Sequence, residues 1–287
     1  MEAISLARTR PNAAEELPKF RLSSYGQYNA DMNDAVIAQV YQRLRRAGVP
    51  ATVPGSLPVT CFGDLWTARV GTVGLNPSWK EYLSKSRTEL VGKNRHFETL
   101  GSLGAYERGE LTDAQCERAI TTMRGYFGPD KPVYSWFAGL SRVVEGFGVS
   151  FRDGSAAHLD LVQEPTDPVW SDVFKANRDA GAAMLNADLP FLRWQIEAFA
   201  LSAVICTSRT VLDAVARITS AEVIETGTFA ERRWTIARAE LNGRAVAVVG
   251  WNIPLVRQPG LTRQEQTELG SVLRARVDAA GLRPESA

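Results

Sequence analysis

Cysteine and histidine are scarce in this chain, and their scarcity argues against several kinds of site. The 287 residues include three cysteines and two histidines, and no two cysteines form a C-x-x-C pair. Structural zinc sites and iron–sulfur clusters need clustered thiolates or imidazoles. Widely spaced cysteines also argue against a disulfide framework and are typical of a reducing compartment. We therefore expect no metal, no other cofactor and a cytoplasmic location.

A large net charge and long apolar runs are also missing. The formal net charge is +1, so any contact with nucleic acid would need a local basic patch. No apolar stretch reaches the length of a membrane span, and Glu2 before a short apolar run argues against a signal peptide. A hydrophobic content of 45% is ordinary for a globular protein. We expect a monomer without a membrane partner.

Short β-branched runs alternate with helical segments along the chain. The predicted strands are 69–75, 155–162, 203–206, 234–241 and 244–250, the last two joined by the Asn242-Gly243 hairpin signal. The predicted helices are 31–47, 112–126, 133–147, 167–186, 189–201, 207–218 and 262–280. This order predicts an α/β fold with three layers, α/β/α, around a central, mainly parallel, wound sheet. Residues 1–24 are predicted to be a flexible arm, and 25–287 a single domain.

The most informative segment is Gly74-Leu75-Asn76-Pro77-Ser78, at the end of the first predicted strand. Pro77 cannot donate to a sheet ladder, so the strand stops and leaves the Asn76 carboxamide at its carboxyl end. Open α/β sheets bind ligands at this edge. Other predicted strands also end in polar residues, namely Asp160, Thr207-Ser208 and Asn252. Since the chain has no P-loop, no G-x-G-x-x-G and no Ser-His-Asp set, this cleft is predicted to hold a planar, polar ligand and a water.

The segment Gly74–Ser78 resembles the water-positioning motif of the uracil-DNA glycosylase superfamily, in the branches where it reads Gly-x-Asn-Pro-Gly or a close variant. The order of parts is similar over roughly residues 60 to 275. Asp160 takes the place of a residue that reads the base from a strand end. Asn252-Ile253-Pro254-Leu255 takes the place of a loop that wedges into DNA. The resemblance implies the superfamily's fold and hydrolysis of an N-glycosidic bond in DNA.

The resemblance also implies a role for each residue of these loops. Asn76 would position the attacking water, Asp160 would read the base, and Asn252 would donate to the base oxygen as negative charge grows there. The remaining substrate-binding residues would be Gly74, Leu75, Pro77, Ser78, Tyr82, Phe97 and His158, with Tyr82 and Phe97 as candidates for stacking on the base. DNA contacts would come from Lys80, Lys85, Arg87, Lys93, Arg95, Ser208, Leu255 and Arg257, with Leu255 or Val256 as the wedge. No lysine occupies a motif position, so we expect simple hydrolysis without a Schiff base.

Asp160 departs from the superfamily pattern, in which an asparagine commonly reads uracil. An ionised aspartate only accepts hydrogen bonds, so it would repel O4 of uracil and accept from the exocyclic amine of cytosine. Excision of ordinary cytosine would be lethal to the host, and some members of the superfamily resemble antiviral rather than repair enzymes. Our hypothesis is that the target is a modified cytosine of foreign, for example phage, DNA. A second interpretation makes Asp160 the general base.

Several alternatives stay open at this point. The alternatives are a uracil or damaged-base repair glycosylase, a non-catalytic nucleic-acid-binding module of the same fold, and a hydrolase of free nucleosides. Some of the candidate residues also have a purely structural interpretation. His158 fits a core histidine, Ser208 fits a helix cap, and the basic loop at 80–96 fits a solvated surface.

Overall fold

The chain folds into an α/β structure, which a computed structural model describes for residues 28–131, 133–252 and 260–282. The strands of this part are β1 (Val70–Gly74), β2 (Ala156–Asp160), β3 (Ala203–Cys206), β4 (Glu222–Phe229), β5 (Arg232–Leu241) and β6 (Arg244–Trp251). Its α-helices are α1 (Tyr28–Arg45), α2 (Leu100–Leu103), α3 (Asp113–Arg124), α4 (Phe137–Gly146), α5 (Trp170–Ala176), α6 (Arg178–Ala198), α7 (Arg209–Thr219) and α8 (Arg263–Ala279).

The strands form one sheet of order β2-β1-β3-β6-β5-β4. Strands β1, β2, β3 and β6 are parallel, while β5 runs antiparallel to both β6 and β4. The predicted hairpin is confirmed, and its turn residues Asn242 and Gly243 have φ of 51° and 73°, as a type I′ turn requires. The predicted α/β fold with a mainly parallel sheet and flanking helices is therefore confirmed.

The order of the strands creates a crevice at one edge of the sheet. Every residue of β1, β2 and β3 is buried, which explains their nearly continuous runs of small and apolar residues. From β1 the chain passes to β2 on one side and then returns to β3 on the other. Ligands bind at such a reversal, outside the carboxyl ends of the strands. The segments that follow β1, β2 and β3 meet there.

Two features of the fold differ from the sequence prediction. Strand β4 is not predicted because it lies at the sheet edge with no residue fully buried, so it lacks the apolar alternation of a half-buried strand. The predicted helix break before Leu189 is wrong. Helix α6 continues through Pro190, and the break lies at Asn177, whose side chain caps α6 by accepting from the Ala180 amide at 3.0 Å.

Some predictions lie outside the described residues. They concern the arm at 1–24 and the proposed wedge loop with Leu255, Val256 and Arg257. Within the described ranges, no helix is both long enough and apolar enough to cross a membrane.

Helices α4 and α8 approach so closely that two positions have no room for a side chain. A Cβ at Gly146 would lie 1.9 Å from the Thr267 carbonyl oxygen, and one at Gly270 would lie 2.0 Å from that of Val143. These distances are far inside van der Waals contact, and the obstacle is backbone rather than a flexible side chain. Glycine at both positions therefore sets the distance between the helices.

We expect Gly270→Ala to lower the free energy of unfolding by about 1–3 kcal/mol, since the two helices must move apart. The measurement is urea unfolding followed by circular dichroism. Gly109→Ala is the matched control, because a Cβ at Gly109 meets nothing within 4 Å. Equal unfolding midpoints for the two variants would contradict the close approach of α4 and α8.

Candidate active site

A cavity of about 370 Å³ opens at the crevice of the sheet. Its polar wall comes from residues that end or follow three strands: Gly74 to Ser78 after β1, His158 and Asp160 on β2, and Thr207 and Ser208 after β3. Its apolar wall contains the aromatic residues Phe62, Tyr134, Trp136, Phe137 and Trp170. The cavity thus combines ring faces with a few polar groups, which is typical of a site for a planar organic ligand.

Gly74 makes room for the carboxyl group of Asp160. The two residues are partners in the parallel pairing of β1 with β2. A Cβ at position 74 would lie 2.4 Å from Asp160 Oδ1 and 3.0 Å from His158 Nε2. Because no atom of residue 74 fills this space, the Asp160 side chain can lie across the end of β1. Packing against Asp160 therefore explains why the first residue of the Gly-x-Asn-Pro segment is a glycine.

The Asp160 carboxyl is buried and only half satisfied. Its Oδ1 lies 3.4 Å from His158 Nε2, and its Oδ2 has no hydrogen-bond partner within the described ranges. On the other side of the imidazole ring, Nδ1 lies 2.7 Å from the Thr72 hydroxyl. This geometry is satisfied when Thr72 donates to Nδ1 and Nε2–H points at Asp160. Burial raises the pKa of Asp160, and the neighbouring His158 only partly offsets the rise.

The Asn76 carboxamide is held in one orientation by its neighbours. Its Nδ2 donates to the carbonyl oxygens of Pro77 at 2.9 Å and Glu164 at 3.3 Å, and to the Thr166 hydroxyl at 3.0 Å. Two of these three groups are carbonyls that can only accept, so they fix which end of the amide is nitrogen. No described residue donates to Oδ1. An acceptor is therefore free for a water or a ligand.

A buried ion network holds the loop that orients Asn76. Glu164 receives hydrogen bonds from both ends of the Arg108 guanidinium at 2.9 Å and from Arg43 at 3.1 Å. Arg43 also pairs with Asp188 at 2.9 Å, and Asp188 accepts from the Gln163 amide. Burial alone would raise the pKa of Glu164, but the two guanidinium groups lower it below the ordinary value. The loop is thus anchored to α1, α6 and the turn at Arg108–Glu110.

Glu81 is a second buried carboxylate of the cavity wall, and the sequence analysis does not single it out. Its side chain is 1% exposed and lies 2.5 Å from His96 Nδ1, and the Tyr126 hydroxyl is 3.0 Å from both of its oxygens. Its signal in the sequence is faint, since it is one of only two acids in the segment 80–96, which is otherwise basic. The sequence also did not predict the aromatic wall, because its residues come from three distant segments: Phe62, Tyr134 with Trp136, and Trp170.

Three predicted site residues lie outside the cavity. Tyr82 and Phe97 are buried: the Tyr82 hydroxyl donates to the Leu57 carbonyl, and Phe97 stacks on Tyr126. Their predicted stacking role is therefore wrong, because their ring faces are covered by the core. Asn252 does not line the cavity either, since its amide and its Oδ1 both pair with the backbone of Arg233, extending the ladder of β5 and β6. The other predicted residues of the cavity, Gly74, Leu75, Asn76, Pro77, Ser78, His158, Asp160 and Ser208, all line it.

The basic loop after β1 is exposed, but part of its charge is already paired. Arg87 forms an ion pair with Asp167 and lies over the Trp79 ring, and Arg95 pairs with Glu98 at 3.5 Å. Lys80, Lys85 and Lys93 are exposed and form no ion pair with the described residues. The Lys80 ammonium lies near the rings of Trp79 and Tyr134, and Tyr134 lines the cavity. Lys80 therefore carries free positive charge next to the cavity.

Comparison of the sequence with protein-family models gave no match, and comparison with curated proteins gave none either. Across the described ranges, no group of three or more His, Cys, Asp or Glu side chains is arranged to hold a metal ion.

We expect Glu164→Gln to lower the free energy of unfolding by about 3–5 kcal/mol at neutral pH, because Arg108 keeps its charge and loses its buried partner. A carboxyl with a lowered pKa stabilises the fold above its ordinary pKa, and the effect is lost as pH falls through the lowered value. The gap between wild type and variant should therefore shrink in acid. The measurement is urea unfolding over a pH series.

Asp213→Asn is the control for this prediction. Asp213 pairs with Arg209 on the exposed surface of α7, so its loss should change stability by less than about 0.5 kcal/mol. If Glu164→Gln were no more costly than this control, the buried network would not hold the loop.

Proposed function

We propose that this chain is a DNA glycosylase that hydrolyses the N-glycosidic bond of a pyrimidine flipped out of DNA and leaves an abasic site. One observation carries the proposal. Two acceptors without partners in the described residues, Asn76 Oδ1 and Asp160 Oδ2, belong to residues that line one aromatic-walled cavity at the carboxyl edge of the sheet. Asn76 Oδ1 suits a hydrogen bond from a water, and Asp160 Oδ2 suits a hydrogen bond from the edge of a base.

The fold supports the same proposal at a coarser level. The Gly-x-Asn-Pro segment begins at the last residue of β1, and the predicted base-reading residue ends the neighbouring strand β2. This is the arrangement that the resemblance to the uracil-DNA glycosylase superfamily implies. We propose that the chain has a fold of that type.

The aromatic wall supports binding of an everted base. Extrusion of a base costs a few kcal/mol, and stacking on aromatic rings returns about 1–3 kcal/mol per base. With Tyr82 and Phe97 in the core, the stacking faces would be those of Tyr134 or Trp136. Both residues line the cavity and are partly exposed.

Hydrolysis needs a water on one side of the sugar and stabilisation of the departing base on the other. Asn76 Oδ1 would accept a hydrogen bond from the water and hold its oxygen toward C1′. Asn252 is outside the cavity, so the negative charge on the base would be met by other groups. The Ser208 hydroxyl and the N-terminus of α7 line the cavity and carry the required partial positive charge.

The protonation state of Asp160 determines which base it accepts. The ionised carboxylate accepts from the amine of a cytosine-type base, whereas the neutral acid can donate to O4 of uracil. Our first candidate is a modified cytosine of foreign DNA, and the size of the cavity suits a base with an added group. The raised pKa of Asp160 favours the second candidate, uracil. The two candidates make opposite predictions about pH.

We expect the wild-type chain to release a base from one duplex of a panel carrying uracil, cytosine or modified cytosines. Asn76→Ala should reduce single-turnover release by at least 100-fold, a minimum effect for loss of a positioned catalytic group, without weakening DNA binding. Base release is read as strand breakage after hot alkali. Ser86→Ala, in the exposed loop after β1, is the control.

Other results on this panel identify the alternatives. Cleavage of free nucleosides, unaffected by salt, would indicate a nucleoside hydrolase, because binding to a DNA duplex weakens steeply as salt rises. DNA binding without base release from any duplex would indicate a binding module.

We expect Asp160→Asn to shift the preference from a cytosine-type base toward uracil by about 10-fold or more, the equivalent of one base-edge contact. In the wild type, release of a cytosine-type base should fall as pH drops through the raised pKa of Asp160, because the carboxylate loses its acceptor character. Release of uracil relative to that of the cytosine-type base should rise over the same interval. The measurement is the ratio of single-turnover rates on the two duplexes from pH 5 to pH 9. An unchanged ratio in the variant would remove Asp160 from base recognition.

A further inference from the structure

The cavity contains a carboxylate that the proposed roles leave unused. Glu81 ends a short 3₁₀ turn, Trp79–Glu81, that begins directly after the Asn76-Pro77-Ser78 segment. Its side chain lines the cavity, although it is almost fully buried. A buried acid is costly unless its charge is compensated, so its partners show what state the site maintains.

Those partners stabilise the carboxylate form of Glu81. The Tyr126 hydroxyl donates to it, and His96 Nδ1 lies 2.5 Å from Oε2, the short distance of a charge-assisted hydrogen bond. Asp160, by contrast, has one distant contact at 3.4 Å and one oxygen without a partner among the described residues. Two carboxyl groups of one cavity thus have opposite environments. This arrangement separates the acid and base roles in glycoside hydrolysis.

His96 connects Glu81 to the surface. The His96 side chain is 12% exposed, whereas that of Glu81 is 1% exposed. A doubly protonated imidazole that donates from Nδ1 can release its Nε2 proton to solvent once Glu81 has gained a proton. The cavity, Glu81, His96 and solvent therefore form a continuous path for a proton.

We propose that Glu81 is the general base of the reaction, taking a proton from the water that Asn76 orients, and that His96 passes this proton to solvent. The inference rests on the proposed glycosylase function. As the water oxygen bonds to C1′, the C1′–N bond breaks and its electron pair leaves with the base. One water proton moves to Glu81 and then through His96 to bulk water. The departing base gains a proton from solvent, so atoms and charge balance.

The electrostatics of the cavity agree with this role. Burial raises the pKa of Glu81 and the nearby Asp160 adds to the rise, while the hydrogen bonds from His96 and Tyr126 oppose it. Among the described residues, these three are titratable groups that act on Glu81, and Tyr82 also interacts with it electrostatically. A base is most effective when its pKa is close to the working pH, and a raised carboxyl pKa moves in that direction.

The test is Glu81→Gln, which keeps the shape of the side chain and removes its basicity. We expect the single-turnover rate of base release to fall by about 10²–10⁴-fold. The affinity for a duplex that contains a tetrahydrofuran abasic analogue should stay within about 2-fold of the wild-type value, because most contact residues contribute little to the free energy of binding. Glu222→Gln, an exposed carboxyl on edge strand β4, is the matched control and should keep the wild-type rate.

Rescue by azide distinguishes a general base at position 81 from a residue that only maintains the structure. It attacks C1′ without losing a proton, so it needs no general base. Azide should therefore restore base release in Glu81→Gln and leave an azide-bearing sugar, detected as a mass shift of the strand. It should not accelerate the wild type to the same extent. A folded, DNA-binding Glu81→Gln that azide does not rescue would overturn the proposal, and so would a wild-type rate in this variant.

A second variant decides the question if Glu81→Gln does not fold. His96→Ala removes the exit of the proton and should slow turnover, with recovery when imidazole is added to the buffer. Full activity of His96→Ala, or slow turnover that imidazole leaves unchanged, would overturn the proposal. The proposed function fails separately: in that case the wild type itself releases no base from any duplex of the panel.

Discussion

The buried pairing of Glu164 with Arg43 and Arg108 is the constraint on which the site depends. It fixes the loop after β2 against α1 and α6, and this loop supplies two of the three acceptors that hold the Asn76 amide. A buried ion network of this kind adds little net stability over apolar packing. Its contribution here is geometric, because it fixes the loop whose Glu164 carbonyl oxygen accepts from the Asn76 amide, 88 residues away in sequence. The orientation of Asn76 in the cavity is thus set by residues that lie outside the cavity.

The chemical properties of the cavity depend on two carboxyl groups and one amide. Asp160 has an oxygen without a partner in the described part of the chain, whereas Glu81 is contacted by His96 and Tyr126. Both carboxyl groups line a cavity with an aromatic wall, where a lower dielectric strengthens electrostatic interactions. The site therefore obtains different properties from the same functional group through burial and hydrogen bonding alone.

The fold could be predicted from the sequence wherever burial leaves a periodic pattern. Strands β1, β2 and β3, the Asn242-Gly243 hairpin and the capped helices follow from apolar runs and local turn chemistry. Once the strands were predicted, the polar residues at their ends were known, so Asn76 and Asp160 could be assigned to one edge of the sheet. Glu81 could not, because the Tyr126 hydroxyl that contacts its buried carboxylate lies 45 residues further along the chain. Phe97 was misplaced for the same reason: an aromatic residue in a loop gives no sign of which side packs into the core.

The space between β1 and β2 has a consequence for how such a sequence can vary. A β-carbon at position 74 and the carboxyl group at position 160 compete for the same volume, since they would be 2.4 Å apart. Drift at one position is therefore limited by the residue at the other. A descendant with alanine at the first position should carry a shorter residue at the second, so the two columns of a future alignment should covary.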